Sequence, residues 1–414
     1  MVALYHDNTL LYESEKGMKN QLLHTPDGVR DIYNGECRKK LILQDKLHHV
    51  LMKYGYKDIQ TPTFEFFNIF GQEIGTTPSK DLYKFFDKEG NTLVLRPDFT
   101  PSVARSAAKY YVDEEMPVKL CYMGNTFINS SDYQGRLKET TQCGAELIGD
   151  NSVASDAEIL AMVVDSLRDS GLKNFQISVG HAQFFKGLVT AAGINEDAEE
   201  ELKELILNKN FFGVEEFVEG LGLEANLNEL FKLLVLFDAK AEDLALAKEK
   251  AENYSEIYEA LVALETLSDY LKMYEIDKYI SIELGLISNY NYYTGIIFSG
   301  YTFGTGEPIV KGGRYDQLLS HFGKNAPAIG FAIVVDQLMA ALSRQNIQIS
   351  YMNNNVLVVF DQDVAAKAIK HSIELRKSGV NVELVMKDSD KTKEYYDTYA
   401  KQCHINKVEF MDGE

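Results

Sequence analysis

The sequence predicts an α+β fold with a small α/β unit at its C-terminal end. Three observations lead there. Up to about residue 350, short apolar strand segments and amphipathic helices succeed one another, with hairpin signals between strands. From about 182 to 279 the pattern is almost continuously helical and rich in glutamate. After Asn355, strand and helix alternate in the manner that builds a parallel sheet.

Taken in order, residues 1–17 differ from the rest of the chain and read as a loose arm or a non-native start, with Met18 the expected natural start. Glu36 to Tyr54 is a helix with Leu41, Leu43, Leu47, Val50 and Leu51 on its apolar side, and Gly55 stops it. Asp58 to Phe64 reads as a strand that Pro62 ends. Lys84 to Asn91 is a hairpin turn, with Gly90 supplying the tight geometry. Thr100-Pro101-Ser102 starts a helix that runs to Tyr110. Lys119–Phe127 and Glu139–Ile148 are strands joined by a polar loop. Ser152 to Asp169 is an amphipathic helix, with Ser155 or Asp156 as its cap. Phe175 to Gly180 is a strand ending at His181.

The helical block after it has a small core, including Leu205, Leu230 and Leu234, and a solvated acidic face. Asn289 to Phe298 reads as a strand, so its neighbours Tyr292 and Tyr293 face opposite ways and only one enters a given pocket. Ala328 to Leu338 is a strand passing through Gly330 into a helix that ends near Ser343. The C-terminal unit has strands at Asn355–Asp361, Val380–Val385 and Lys407–Met411, with helices at Val364–Ser378 and Lys391–Gln402 between them.

A chain of 414 residues is too long for one simple core, so two or three domains are expected. With 45% hydrophobic and 25% charged residues, the composition is that of an ordinary soluble protein. No apolar run is long enough to span a bilayer, and the N-terminus lacks a signal-peptide pattern, so a cytoplasmic location is expected. The four cysteines are scattered without metal-ligand spacing and read as reduced thiols; no metal and no cofactor are expected. Acidic residues number 62 against 42 basic ones, a formal net charge of −20. No cluster of lysine and arginine stands out, which disfavours a nucleic-acid partner.

Asn289-Tyr-Asn-Tyr-Tyr-Thr-Gly-Ile-Ile-Phe298, followed by Gly312-Gly-Arg-Tyr-Asp-Gln-Leu-Leu319, is similar to the histidine-binding block of histidyl-tRNA synthetases. Leu95-Arg-Pro-Asp-Phe-Thr100 resembles another segment of that family, with Asp98 where the synthetases usually carry glutamate. Closer still is the resemblance to the synthetase-like regulatory subunits of ATP phosphoribosyltransferase. The resemblance implies a class II aminoacyl-tRNA synthetase-like antiparallel sheet with flanking helices over residues 18–350, interrupted by a helical insertion at about 182–279. It implies a short anticodon-binding-like α/β domain over 351–414, and a homodimer formed through the helix–strand pair at Glu36–Phe64.

Activation of an amino acid by ATP builds charge on a phosphate, which class II enzymes meet with arginines. Aligned on the synthetase motifs, those arginines fall on Ile128, on Gln337 and within Ser288-Asn-Tyr-Asn-Tyr-Tyr293, none of them cationic. Loss of one such donor typically costs roughly 100- to 1,000-fold in rate, so the resemblance implies a chain with no catalytic residues of its own. Arg136 and Lys138 persist in the polar loop.

The groups that would read an amino acid keep their places or a close substitute. By resemblance Asp98, Thr100 and Gln142 surround the α-ammonium of histidine, Glu146 accepts a proton from one imidazole nitrogen, and Tyr292 or Tyr293 contacts the other. Arg136, Arg314 and Tyr315 are further pocket or partner contacts. Taken singly, Asp98 is equally a helix-cap residue and Gln142 or Glu146 an ordinary strand polar group. Retained together while the arginines are lost, they fit a pocket that senses histidine without activating it.

The resemblance thus implies a non-catalytic regulatory subunit of the first step of histidine biosynthesis, bound to a short-form catalytic subunit in a hetero-oligomer and sensitive to L-histidine. An active histidyl-tRNA synthetase and a stand-alone histidine sensor are the alternatives.

Overall fold

The computed structural model describes residues 23–71, 77–113, 115–129, 137–288, 292–350 and 354–413. The N-terminal arm, the question of Met18, and Arg136 lie outside the described residues. The chain divides into two units, one up to Ile349 and one from Ser350.

The first unit opens with helix α1 (Asn34–Lys53), which buries Leu43, Leu47, Val50 and Leu51. Leu41, expected on the same stripe, is exposed: it lies two positions before Leu43, about 200° round a helix. Strand β1 (Lys57–Asp58) is only two residues long, and the chain re-enters extended structure as β2 (Phe64–Phe66). The single strand expected over 58–64 is therefore two pieces in two sheets. β3 (Lys84–Phe86) and β4 (Thr92–Leu95) form the predicted hairpin, and Gly90 takes the left-handed conformation at φ 86° that its turn needs. Helix α2 (Thr100–Tyr110) follows, then the long hairpin of β5 (Val118–Phe127) and β6 (Glu139–Ile148).

Helix α3 (Val153–Asp169) is capped by Ser152, whose hydroxyl accepts the N–H of Ser155. Ser155 and Asp156, expected as caps, instead lie inside the first turn and hold the side chain of Arg314. Strand β7 (Phe175–His181) runs into α4 (Ala182–Ala192), and the partly buried His181 caps that helix through Nδ1. Burial, and then Arg314, pull the His181 pKa down to about 4, which keeps the ring neutral and able to accept.

The helical block continues as α5 (Glu196–Leu207), α6 (Phe211–Gly220), α7 (Ala225–Lys232), α8 (Ala241–Lys250) and α9 (Ser255–Met273). Return to the sheet comes through β8 (Ile280–Ile282), β9 (Ile296–Thr302), β10 (Val310–Arg314) and β11 (Ala328–Val334), and α10 (Val335–Arg344) closes the unit.

One eight-stranded sheet in the order β1-β5-β6-β11-β10-β9-β7-β8 organises all of this. Its inner pairings are antiparallel, and only the outer strands β1 and β8 run parallel to their neighbours. One face carries the main core, with α1, α3 and the helical block packed against it. The other carries a smaller core around α2, Tyr122, Ile148, Tyr293, Ile297 and Tyr315.

The second unit is a three-stranded parallel sheet in the order β13-β12-β14, made of β12 (Asn355–Phe360), β13 (Asn381–Met386) and β14 (Lys407–Met411). Its helices are α11 (Ala365–Lys377) and α12 (Lys393–Gln402), and each contributes to a different one of its two small cores.

Arg314, expected at the pocket, is instead the bolt between β10 and the start of α3. Its Nε and Nη2 donate to Asp156 Oδ1 at 2.9 and 2.5 Å, Nη2 donates to the Ser155 hydroxyl at 2.9 Å, and Nη1 to the Asp150 carbonyl at 2.9 Å. The side chain is 7% exposed, so these bonds replace its hydration shell. Arg314→Met leaves Asp156 buried without its partner. It is expected to lose about 3–5 kcal/mol of stability in urea unfolding, whereas a loss below about 1 kcal/mol would show that Arg314 does not hold α3 to the sheet.

Candidate functional site

Strand residues alternate faces, so Gln142, Gly144 and Glu146 of β6 share the face that carries α2, while Cys143, Ala145 and Leu147 enter the main core. Register places Gly330 of β11 opposite Glu146, and Gly313 of β10 opposite Gly330. Both glycines make room for a neighbour. A Cβ on Gly330 would lie 1.6 Å from Glu146 Oε2, and one on Gly313 would lie 2.7 Å from the Tyr293 ring. Sequence reasoning placed Gly330 on this strand without seeing that the Glu146 side chain lies across it.

Glu146 is 1% exposed. Its Oε1 accepts the Thr100 hydroxyl at 2.8 Å and the Tyr122 hydroxyl at 3.3 Å, and the Tyr315 hydroxyl donates to Oε2. Burial pushes the Glu146 pKa up to about 8, against the hydrogen bonds from Tyr315, Thr100 and Tyr122 that favour the carboxylate. Burial first, and then Glu146, hold both phenols well above the ordinary range, so both keep their protons and donate. Thr100, expected at the α-ammonium, thus points its hydroxyl at Glu146. Tyr122 is the member that sequence reasoning missed.

Asp98 accepts the N–H of Phe99 at 2.7 Å at the start of α2, and it raises the Glu146 pKa by its charge. Gln142 has a buried Oε1 with no hydrogen-bond partner among the described residues. Tyr292 and Tyr293 precede β9 instead of lying on it, so strand alternation does not separate them. Their ring centres are 4.5 Å apart, Tyr292 meets Tyr315 edge-on at 5.9 Å, and both pack on the smaller core. The expectation that both lie on a strand and face opposite ways is corrected, because they stand in the turn before β9 and both pack on the smaller core.

Tyr293 also lines a neighbouring cavity of about 560 Å³, together with Ser178, Glu283, Ser299, Tyr301 and Lys311. Phe211, Leu234 and Phe237 of the helical block line it as well. Where the resemblance predicts phosphate-binding arginines, Ile128 is exposed, and Gln337 donates through Nε2 to the Glu307 carboxylate at 3.0 Å. The arrangement can recognise a polar ring by one carboxyl and several phenols, and it offers an acidic partner where a phosphate would need a cation.

A family model described as histidyl-tRNA synthetase matches residues 28–338. The ATP phosphoribosyltransferase regulatory subunit of Acetivibrio thermocellus is 38% identical over 371 residues, covering 89% of this chain and 88% of the relative. That of Ruminiclostridium cellulolyticum is 38% identical over 381 residues, covering 91% and 90%. A crystal structure from Bacillus halodurans, described as an ATP phosphoribosyltransferase regulatory subunit/histidyl-tRNA synthetase, superposes with a TM-score of 0.82 at 29% identity, covering 94% of this chain and 98% of that one. Histidyl-tRNA synthetase from Nostoc sp. PCC 7120 shares the fold, with a TM-score of 0.76 at 21% identity, covering 92% and 90%.

The raised pKa of Glu146 has a stability consequence. A carboxyl that binds its proton more tightly in the folded state contributes stability fully below its ordinary value of 4.5, and that contribution is lost as pH rises through about 8. Ligand-free wild type should therefore lose on the order of a few kcal/mol relative to Glu146→Gln between about pH 5 and about pH 9, read by urea unfolding of both proteins. Parallel stability curves for the two would contradict the assignment.

Proposed function

The chain belongs to the histidyl-tRNA synthetase-like family and, within it, to the regulatory subunits of ATP phosphoribosyltransferase, and we propose that it reads free L-histidine in the Glu146 pocket. It is a regulatory subunit without catalysis of its own, acting in histidine biosynthesis. Its partner is a catalytic ATP phosphoribosyltransferase subunit of the short form, which it switches on and through which histidine inhibits the complex. Thermodynamic linkage then requires histidine to bind the inhibited arrangement more tightly than the active one.

The observation that carries this reading is the buried Glu146 with its ring of hydroxyls beside Tyr292 and Tyr293. Neutral imidazole has one N–H and one bare nitrogen, so a carboxylate and a phenol suit its two edges. The unpartnered Gln142 Oε1 and the Asp98 carboxylate suit the α-ammonium. Aminoacylation is disfavoured by Ile128 and the Gln337–Glu307 pair, and the net charge of −20 disfavours tRNA.

The protein works in the cytoplasm, as three parts: the sheet domain, the α4–α9 insertion and the C-terminal unit. It forms a homodimer through the α1–β1 region, inside a larger hetero-oligomer. In support, β1 is a sheet edge, and an edge strand offers unpaired backbone groups to a second chain.

The test mixes the full chain with a short-form ATP phosphoribosyltransferase of the same organism and follows product with and without histidine. Activity should appear only on mixing, and histidine should suppress it. Glu146→Ala should then raise the histidine needed for half-inhibition by about 100-fold, the size of effect expected for removing a buried charged acceptor. A mixture no more active than the catalytic subunit alone would overturn the regulatory role. An unchanged half-inhibition in the variant would move the sensor elsewhere.

A further inference from the structure

A second cluster of reactive side chains lies on the other face of the sheet, at its β1 edge. His48 of α1, Asp58 of β1 and Cys121 of β5 bring one nitrogen, one oxygen and one sulfur within 4.8 Å of one another. His48 Nε2 lies 2.6 Å from Asp58 Oδ1, and the Cys121 thiol points at the same oxygen at 3.7 Å. Nothing in the sequence spacing of these three residues suggests a site, because the fold assembles them. The parallel register sets Asp58 beside Cys121, and the Ile59 N–H to Cys121 carbonyl bond of 2.9 Å locks that register. Helix α1 then lays His48 over the pair.

We propose that His48, Asp58 and Cys121 form a three-ligand site for a divalent ion of the zinc class. The donor set is the first reason. Imidazole, carboxylate and thiolate together suit zinc and its neighbours, whereas magnesium and calcium take oxygen. Spacing is the second. Bonds of about 2.0–2.2 Å to nitrogen and oxygen and about 2.3 Å to sulfur, at tetrahedral angles, set ligand atoms roughly 3.3–3.7 Å apart. The sulfur–oxygen separation of 3.7 Å already fits. The nitrogen–oxygen separation of 2.6 Å must open by about 0.7 Å, which small torsional changes of two surface side chains supply.

Access is the third reason. In the single chain the His48 and Asp58 side chains are 37% and 65% exposed, so an ion can enter and take a water as its fourth ligand before the proposed α1–β1 dimer forms. Cys121 is closed from solvent and anchors the inner end. On binding, the S–H bond breaks and an S–metal bond forms; the proton goes to solvent, Asp58 binds as carboxylate and His48 as neutral imidazole through Nε2. The ion would pin α1 to the sheet edge.

The experiment strips the full chain with chelator and titrates it with Co²⁺, whose thiolate complex has an intense near-ultraviolet charge-transfer band. One equivalent per chain should bind with that band, and Zn²⁺ should displace it. Cys121→Ser should abolish the band, and His48→Ala should weaken Co²⁺ binding tenfold or more. Absence of the band overturns the site, leaving an ordinary His48–Asp58 ion pair. Persistence of the band in Cys121→Ser also overturns it, assigning the thiolate to Cys37, Cys143 or Cys403. Should Cys121→Ser fail to fold, His48→Ala at its solvent-facing position decides, and unchanged affinity rejects the proposal.

Discussion

A carboxyl group in the middle of a sheet is the constraint on which the rest of the pocket depends. Stripping Glu146 of water is costly unless its oxygens are given other partners. The chain provides three hydroxyls from three separate elements: Thr100 in the first turn of α2, Tyr122 on β5, and Tyr315 just beyond β10. Each has to be in register for the others to reach. Gly330 must also be bare, since the carboxylate occupies the space its side chain would need. The carboxyl therefore fixes the sequence of its neighbours more tightly than any apolar position on the same face. Directly beside Tyr315, Arg314 sends its side chain the other way into the Asp156 pair. One dipeptide thus serves both faces, the pocket on one and the anchorage of α3 on the other.

How much of this was readable from the sequence depends on whether a signal is local. Helices with a clear 3.6-residue period, such as α1 and α3, stand where the spacing puts them, and so does the β5–β6 hairpin. Glu146, Thr100 and Tyr315 were legible because their places in a known motif pattern survive. Tyr122 was not, because a tyrosine on a strand carries no signal until its hydroxyl is seen to have a partner. Arg314 was misread for a related reason. Within Gly-Gly-Arg-Tyr-Asp it looks like a group waiting for an anion, but Asp156 lies 158 positions away along the chain. The cap of α3 was missed by three residues, since Ser152, Ser155 and Asp156 are all good caps by type. Tyr292 and Tyr293 were assigned to a strand that begins only at Ile296, and the face argument built on that strand fell with it.

The places that the resemblance assigns to phosphate carry no cation. At one of them a cation has become Ile128, an apolar side chain open to solvent. At another, Gln337 donates through Nε2 to the Glu307 carboxylate at 3.0 Å, so its amide is engaged within the fold. A transition state that builds charge on phosphate would find no cationic side chain at either position.

The turn carrying Tyr292 and Tyr293 connects the pocket to the helical block by bonds that do not depend on a ligand. Thr294 donates its N–H to the Arg314 carbonyl at 2.8 Å and its hydroxyl to Asp316 at 2.9 Å, which pins the turn to the end of β10. The Ala182 N–H reaches the Gly295 carbonyl at 2.8 Å, and Lys186 of α4 reaches the Tyr293 carbonyl at 3.0 Å. Both of these come from the first helix of the insertion. A group that displaces Tyr293 must therefore either break the Lys186 bond or carry α4 with it. Contact of this kind transmits a signal only when two arrangements differ in it. Lys186 is itself exposed to solvent, so its ammonium can exchange the Tyr293 carbonyl for water, and that bond gives way more readily than the packing of α4.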